Sequence, residues 1–162
     1  DFPFCLAWAN ESWRGFFHGI KTKETLITQL YPGKDDYIAH FNEVLLAFKD
    51  HRYITVEGKP IFVIYQPFDH PEMKDFIELW RTLAKQNGLK GIHFVGHTYN
   101  LAKDRAELMR MGFDAINVVR LFDFEKKAKL TYKCAKWRHR FFRCPKIVEY
   151  KKASQFFTGI CF

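Results

Sequence analysis

The chain has 162 residues, 48% hydrophobic, 18% aromatic and 27% charged, with a formal net charge of +8. That is enough for one substantial hydrophobic core, and it excludes a disordered, collagen-like or low-complexity chain. No apolar run approaches the roughly 20 residues a membrane-spanning helix requires, so no transmembrane segment is expected.

In chain order, Phe2 to Trp8 reads as a strand buried on both faces, with Cys5 a small apolar residue inside it and Glu11 just past its carboxyl end. A helix over 35–49 follows, capped by Asp35 or Asp36, with Tyr37, Ile38, Phe41, Val44, Leu45 and Phe48 forming its apolar stripe. The turn Glu57-Gly58-Lys59-Pro60 leads into a β-branched and aromatic strand over 61–65, ended by Gln66-Pro67. Next come a helix over 72–86 that turns Phe76, Ile77, Leu79, Trp80 and Leu83 inward, and Gly88 suited to the left-handed backbone after it. A strand over 92–96, a helix over 102–111 stopped by Gly112, and a strand over 115–119 complete the series. Strands alternating with helices of this size predict an α/β fold of parallel βα repeats with right-handed crossovers, either doubly wound or closed into a barrel.

Beyond Arg120 the alternation fades into a basic segment, 121–162, in which Lys126 to Lys152 supply most of the positive excess and Tyr132, Trp137, Phe141 and Phe142 are interleaved. It reads as a solvated helical face, with one helix near 148–157. Its charge would also attract an acidic glycan or a phosphorylated sugar carrier, whereas nucleic acid is not the expected partner. Cys5, Cys134, Cys144 and Cys161 contain no CxxC pair and read as reduced thiols, which fits a cytoplasmic location. The histidines lack metal-ligand spacing and no glycine-rich phosphate loop occurs, so neither a metal nor a cofactor is expected. The chain opens Asp1-Phe2-Pro3 and stops in apolar sequence at Phe162, and a domain truncated at both ends is expected.

Ligand sites of parallel α/β sheets and barrels lie at the carboxyl ends of the strands. Those ends carry Trp8, Asn10, Glu11 and Trp13, then Tyr65 and Gln66, then His97 and Tyr99, then Arg120 and Asp123. Aromatic platforms beside carboxylates and amides suit sugars, which present apolar ring faces and hydroxyl rims. A glutamate held between Trp8 and Trp13 would be partly desolvated, which suits it to protonating a leaving glycosidic oxygen, and Asn10 could bind a sugar hydroxyl. Glycoside hydrolysis ordinarily uses a second carboxylate, for which Asp123 and Glu125 are candidates.

Phe2-Pro3-Phe4-Cys5-Leu6-Ala7-Trp8-Ala9-Asn10-Glu11-Ser12-Trp13 closely resembles WbsX-type proteins, similar to glycoside hydrolase family 99 and associated with bacterial polysaccharide and lipopolysaccharide genes. Phe17-His18-Gly19, Tyr31 to Tyr37, His40-Phe41, Arg52-Tyr53-Ile54 and Gly58 to Tyr65 resemble the same family in order, strongly over 1–120 and weakly beyond. The resemblance implies a single partial domain over 1–162, part of a (β/α)8 TIM-type barrel whose third through sixth strands this chain would hold. It implies a carbohydrate-active enzyme, a hydrolase or a glycosyltransferase, acting on glycosidic bonds of a cell-surface polysaccharide. The resemblance carries over to Glu11 as the catalytic residue and to Asn10 and Trp8, while Trp13, His18, Tyr65, Gln66, His97, Tyr99 and Arg120 complete the expected substrate-binding set. The alternative is a catalytically inactive remnant that binds glycan or dimerises through open sheet edges. Arg14 and Phe17 stand where relatives place a small hydroxyl residue and a tryptophan.

Overall fold

A computed structural model of the chain describes residues 2–15 and 24–119. The basic segment 121–162, its expected helix near 148–157, and His18, Arg120, Asp123 and Glu125 lie outside them. In order the elements are β1 (Leu6–Trp8), β2 (Trp13–Arg14), β3 (Thr25–Ile27), α1 (Lys34–Phe48), β4 (Thr55–Val56), β5 (Lys59–Ile64), α2 (Met73–Gln86), β6 (His93–Thr98), α3 (Leu101–Met111) and β7 (Ala115–Val118). They form a mixed α/β unit with a parallel sheet.

The main path of that sheet runs β1-β5-β6-β7, parallel throughout, with Ala7 beside Val63, Val63 beside Val95 and Val95 beside Ala115. Side chains alternate between the faces of a strand, so this register assigns each residue a side. Leu6, Trp8, Phe62, Ile64, Phe94, Gly96 and Ile116 share one face, and against it pack Tyr37, Phe41 and Phe48 of α1, Phe76, Ile77 and Trp80 of α2, and Leu108 of α3. All three helices therefore cover the same face. Ala7, Val63, Tyr65, Val95, His97, Ala115 and Asn117 occupy the other.

Strand β1 departs from the expected run. It spans Leu6–Trp8, preceded only by an isolated bridge from Phe4 to Tyr53, and Phe2 is 89% exposed. Cys5 is exposed, which corrects its reading as a buried residue: the alternation that sends Leu6 toward the helices sends Cys5 to the face they leave uncovered. The strand start is anchored from beneath by Tyr53, whose hydroxyl accepts from Leu6 N at 2.9 Å and donates to Ile61 O at 2.7 Å.

Helix α1 begins at Lys34 with Gly33, at φ 108°, in the N-cap position. Asp35 and Asp36 sit in its first turn and favour the positive end of the helix dipole, rather than capping it as expected. Strand β5 starts two residues early because Glu57 and Gly58, at φ 54° and 76°, form a tight turn that pairs β4 with it antiparallel. Strand β6 runs two residues past the expected end, so His97 is a strand residue. Asn100 caps α3 by accepting from Lys103 N, and Gly112, at φ 100°, ends it as expected. Gly88 likewise adopts φ 83° after α2.

Gly96 lets α3 approach the sheet. A Cβ there would lie 3.1 Å from both Leu108 Cδ2 and Phe113 Cδ1, both in the packed core. Gly96→Val should destabilise the fold by about 1–3 kcal/mol through overpacking. A urea midpoint unchanged from wild type would contradict that close approach.

Candidate functional site

The β1–β5 ladder continues past the last strand residues. Tyr65 N donates to Trp8 O at 3.0 Å, and Gln66 N donates to Asn10 Oδ1 at 2.7 Å. Asn10 Nδ2 donates to Gln66 O at 2.7 Å and to the Tyr31 hydroxyl at 3.2 Å, while that hydroxyl donates to Asn10 O at 3.0 Å. Asn10 is 0% exposed, so its amide is wholly engaged with protein.

Glu11 follows, exposed, with its N–H on Ala9 O at 2.9 Å. Its carboxylate acts on Tyr65, which adjoins Gln66 at the carboxyl end of β5. The Tyr65 hydroxyl is pushed up to about 12 by its hydrogen bond to Tyr99, then by burial, with smaller contributions from Tyr99 and the Glu11 charge. The two tyrosine oxygens are 3.1 Å apart. The His97 ring stands 5.3 Å from that of Tyr65, edge to face. Burial lowers the His97 pKa from its ordinary value, and Nδ1 is buried with no hydrogen-bond partner among the described residues. The two tyrosine hydroxyls beside an imidazole and a carboxylate offer hydrogen-bonding groups to a polar ligand.

Register adds a residue the sequence did not single out. Asn117 pairs with His97 across β6 and β7, is exposed, and extends the row Tyr65–His97 on the face that the described helices do not cover. The signal was an asparagine between Ile116 and Val118 inside a strand, a residue depleted from strands unless its amide is used.

The structure thus groups Glu11, Tyr65, His97 and Tyr99. Trp8 is not with them: its ring lies on the helix side, 4.9 Å from His40, 5.3 Å from Phe76 and 6.0 Å from His70. The enclosure of Glu11 between two indoles is therefore absent, because strand alternation turns Trp8 inward and Glu11 is exposed. Trp13 is 51% exposed on the β2–β3 hairpin, paired with Ile27, and Ser12 Oγ holds that hairpin by accepting from Gln29 N at 3.0 Å. Gln66 contributes its backbone to Asn10. Asp69, unnoticed in the sequence, follows in the same loop, with its N–H on Gln66 O at 3.2 Å and its charge acting on Tyr31.

Among the described residues the grouping forms a ledge at the strand ends. A cleft of about 420 Å³ lies instead between α1 and α2, lined by Lys34, Tyr37, Glu72, Asp75 and others. It carries none of the strand-end residues.

Beneath the ledge, Trp8, Tyr31, Tyr37, His40, His70 and Phe76 form an aromatic layer. Burial lowers the pKa of both His40 and His70, partly countered by Asp36 and Glu72 respectively. A histidine held neutral on folding contributes stability that is full above its unfolded value and declines as pH falls below it, because the unfolded chain then binds more protons. Tm should accordingly fall as pH drops from 7.5 to 5; a Tm that holds or rises over that interval would contradict neutral burial of the pair.

Fold and ledge together define an α/β protein of parallel βα units with a polar, aromatic surface at the strand carboxyl ends. The family model described as Glycosyltransferase WbsX matches residues 1–159, and the chain belongs to that family. It is similar to the proteins named "Uncharacterized protein WxcX" of Xanthomonas campestris pv. campestris strains B100 and ATCC 33913, each 33% identical over 115 residues. Those matches cover 70% of this chain and 16% of each relative, so the chain spans a small part of the relatives' length. No solved structure matches the chain. Among the described residues, no helix is long and apolar enough to cross a membrane.

Proposed function

We propose that the chain is part of a carbohydrate-active domain in which Glu11 is the general acid/base for making or breaking a glycosidic bond of a cell-surface polysaccharide. The observation that carries this reading is the grouping of Glu11, Tyr65, His97 and Tyr99 at the carboxyl ends of neighbouring parallel strands. Tyr65, Tyr99 and exposed Trp13 supply ring faces and hydroxyls for a sugar, while His97, Asn117 and the Gln66 amide supply hydrogen bonds. His18 and Arg120 remain candidate sugar ligands. Trp8 and Asn10 support the ledge from inside. Asp69 joins Asp123 and Glu125 as a candidate second carboxylate.

The wider domain is a (β/α)8 barrel in this reading. Strand order that follows the chain with every helix on one face supports it, since a doubly wound sheet reverses order and puts helices on both faces. Hydrolysis needs a proton given to the bridging oxygen as the glycosidic bond breaks, and glycosyl transfer needs a proton taken from the acceptor hydroxyl that becomes that oxygen, so Glu11 would act as acid in the first and as base in the second. The exposed thiol of Cys5 favours a reducing, cytoplasmic compartment.

A second reading, an inactive form that binds glycan or self-associates, draws on the sheet face bearing Ala7, Val63, Val95 and Ala115, which the described helices do not cover. Complementation separates the two. In a strain deleted for the full-length gene, the wild-type gene should restore surface polysaccharide and a Glu11→Gln gene should not; restoration by both would sink the catalytic reading.

A further inference from the structure

Asn10 does with its side chain what a strand residue does with its backbone. Oδ1 accepts from Gln66 N and Nδ2 donates to Gln66 O, both at 2.7 Å, the reciprocal pattern by which one strand holds the next. The second Nδ2 hydrogen goes to the Tyr31 hydroxyl, which returns a bond to Asn10 O. A primary amide offers two donors and one carbonyl acceptor, and here all are committed inside the protein.

We propose that Asn10 and Tyr31 form a positioning lock that holds the peptide carrying Glu11 beside the carboxyl end of β5, beyond the end of β1. Backbone pairing of β1 with β5 stops at Trp8 O and Tyr65 N, and the next N–H bond in β1's direction, from Glu11 to Ala9 O, is local and ties nothing to β5. The Asn10 amide carries the pairing one step further, to Gln66. Tyr31, arriving from beyond β3, fixes the Asn10 carbonyl, one peptide from Glu11. Loss of either contact frees the peptide that carries Glu11 while Tyr65 stays in place on β5. Neither Asn10 nor Tyr31 faces the ledge, so both act through Glu11, and the lock serves the catalytic reading of that residue.

The test uses the full-length protein with 3-fluorotyrosine at position 65, its ionisation followed by fluorine NMR. Glu11→Gln should lower the midpoint by about 0.5 pH unit, because a neighbouring negative charge that opposes ionisation is gone. Asn10→Ala and Tyr31→Phe should lower it comparably while the melting curve stays cooperative. Tyr31→Phe keeps the ring packed on Trp8 and His70, so it decides the matter if Asn10→Ala does not fold. A midpoint that moves in Glu11→Gln but stays at the wild-type value in folded Tyr31→Phe and Asn10→Ala overturns the lock. A midpoint unmoved by Glu11→Gln overturns it too, by removing the Glu11–Tyr65 pairing it serves. Failure of the catalytic reading is separately visible: Glu11→Gln would then keep its activity although the midpoint shifts as expected.

Discussion

Glu11→Gln in the full-length protein is expected to lower glycosyl turnover by about 10²–10⁴-fold, the usual worth of a positioned general acid/base. Glutamine keeps the shape of the side chain and removes the proton it would donate. Glu11 is exposed, and its carboxylate makes no hydrogen bond among the described residues, so the substitution should change stability by less than about 0.5 kcal/mol. Binding should survive better than turnover, because Tyr65, Tyr99, His97 and Asn117 are untouched. A variant with wild-type turnover would place the chemistry elsewhere, and one that unfolds would make Glu11 structural.

Trp80→Ala should cost about 3–5 kcal/mol, as expected for emptying a core aromatic site. Trp80 is 0% exposed, with ring centroids of Phe76 at 4.6 Å, His40 and Phe62 at 4.9 Å and Phe41 at 5.5 Å. Its Nε1 donates to Tyr37 O at 2.9 Å, joining α2 to α1, and truncation leaves that carbonyl without this donor. Domains are stable by roughly 5–15 kcal/mol, so this single change removes a large fraction. Chemical denaturation measures it, and a loss below about 1 kcal/mol would mean the helix layer is not organised around this ring.

Much of this fold is legible in the sequence because periodicity reports it directly. The stripe through Phe76, Ile77 and Trp80 and the β-branched run at Ile61 to Ile64 locate α2 and β5 without any long-range information. What periodicity does not report is which face of a strand is covered. Cys5 was expected inside a strand buried on both sides, yet the helices cover only the face of Leu6 and Trp8. The same parity explains Trp8: it is in step with Leu6, so it points into the helix layer, and its nearness in sequence to Glu11 suggested a sugar platform that alternation does not favour. Asn10 reads locally as a polar strand-end ligand, whereas its partners Tyr31 and Gln66 are 21 and 56 residues away and become visible only once β1 lies beside β5. Asn117 is the converse case. Its local signal is only an asparagine between Ile116 and Val118 in a strand, and pairing with His97 places it on the ledge.

The proposed role of Glu11 covers both glycosyl transfer and hydrolysis, because both form or break a bond at the same bridging oxygen. The most direct measurement therefore compares full-length wild type and Glu11→Gln side by side on polysaccharide isolated from the producing strain, recording both reducing ends released and sugar nucleotide consumed. Either product should form with wild type and fall by two or more orders of magnitude with Glu11→Gln, at about the 10²–10⁴-fold worth of a general acid/base. Equal rates from the two proteins would contradict the assignment of Glu11 and with it the reading of the ledge.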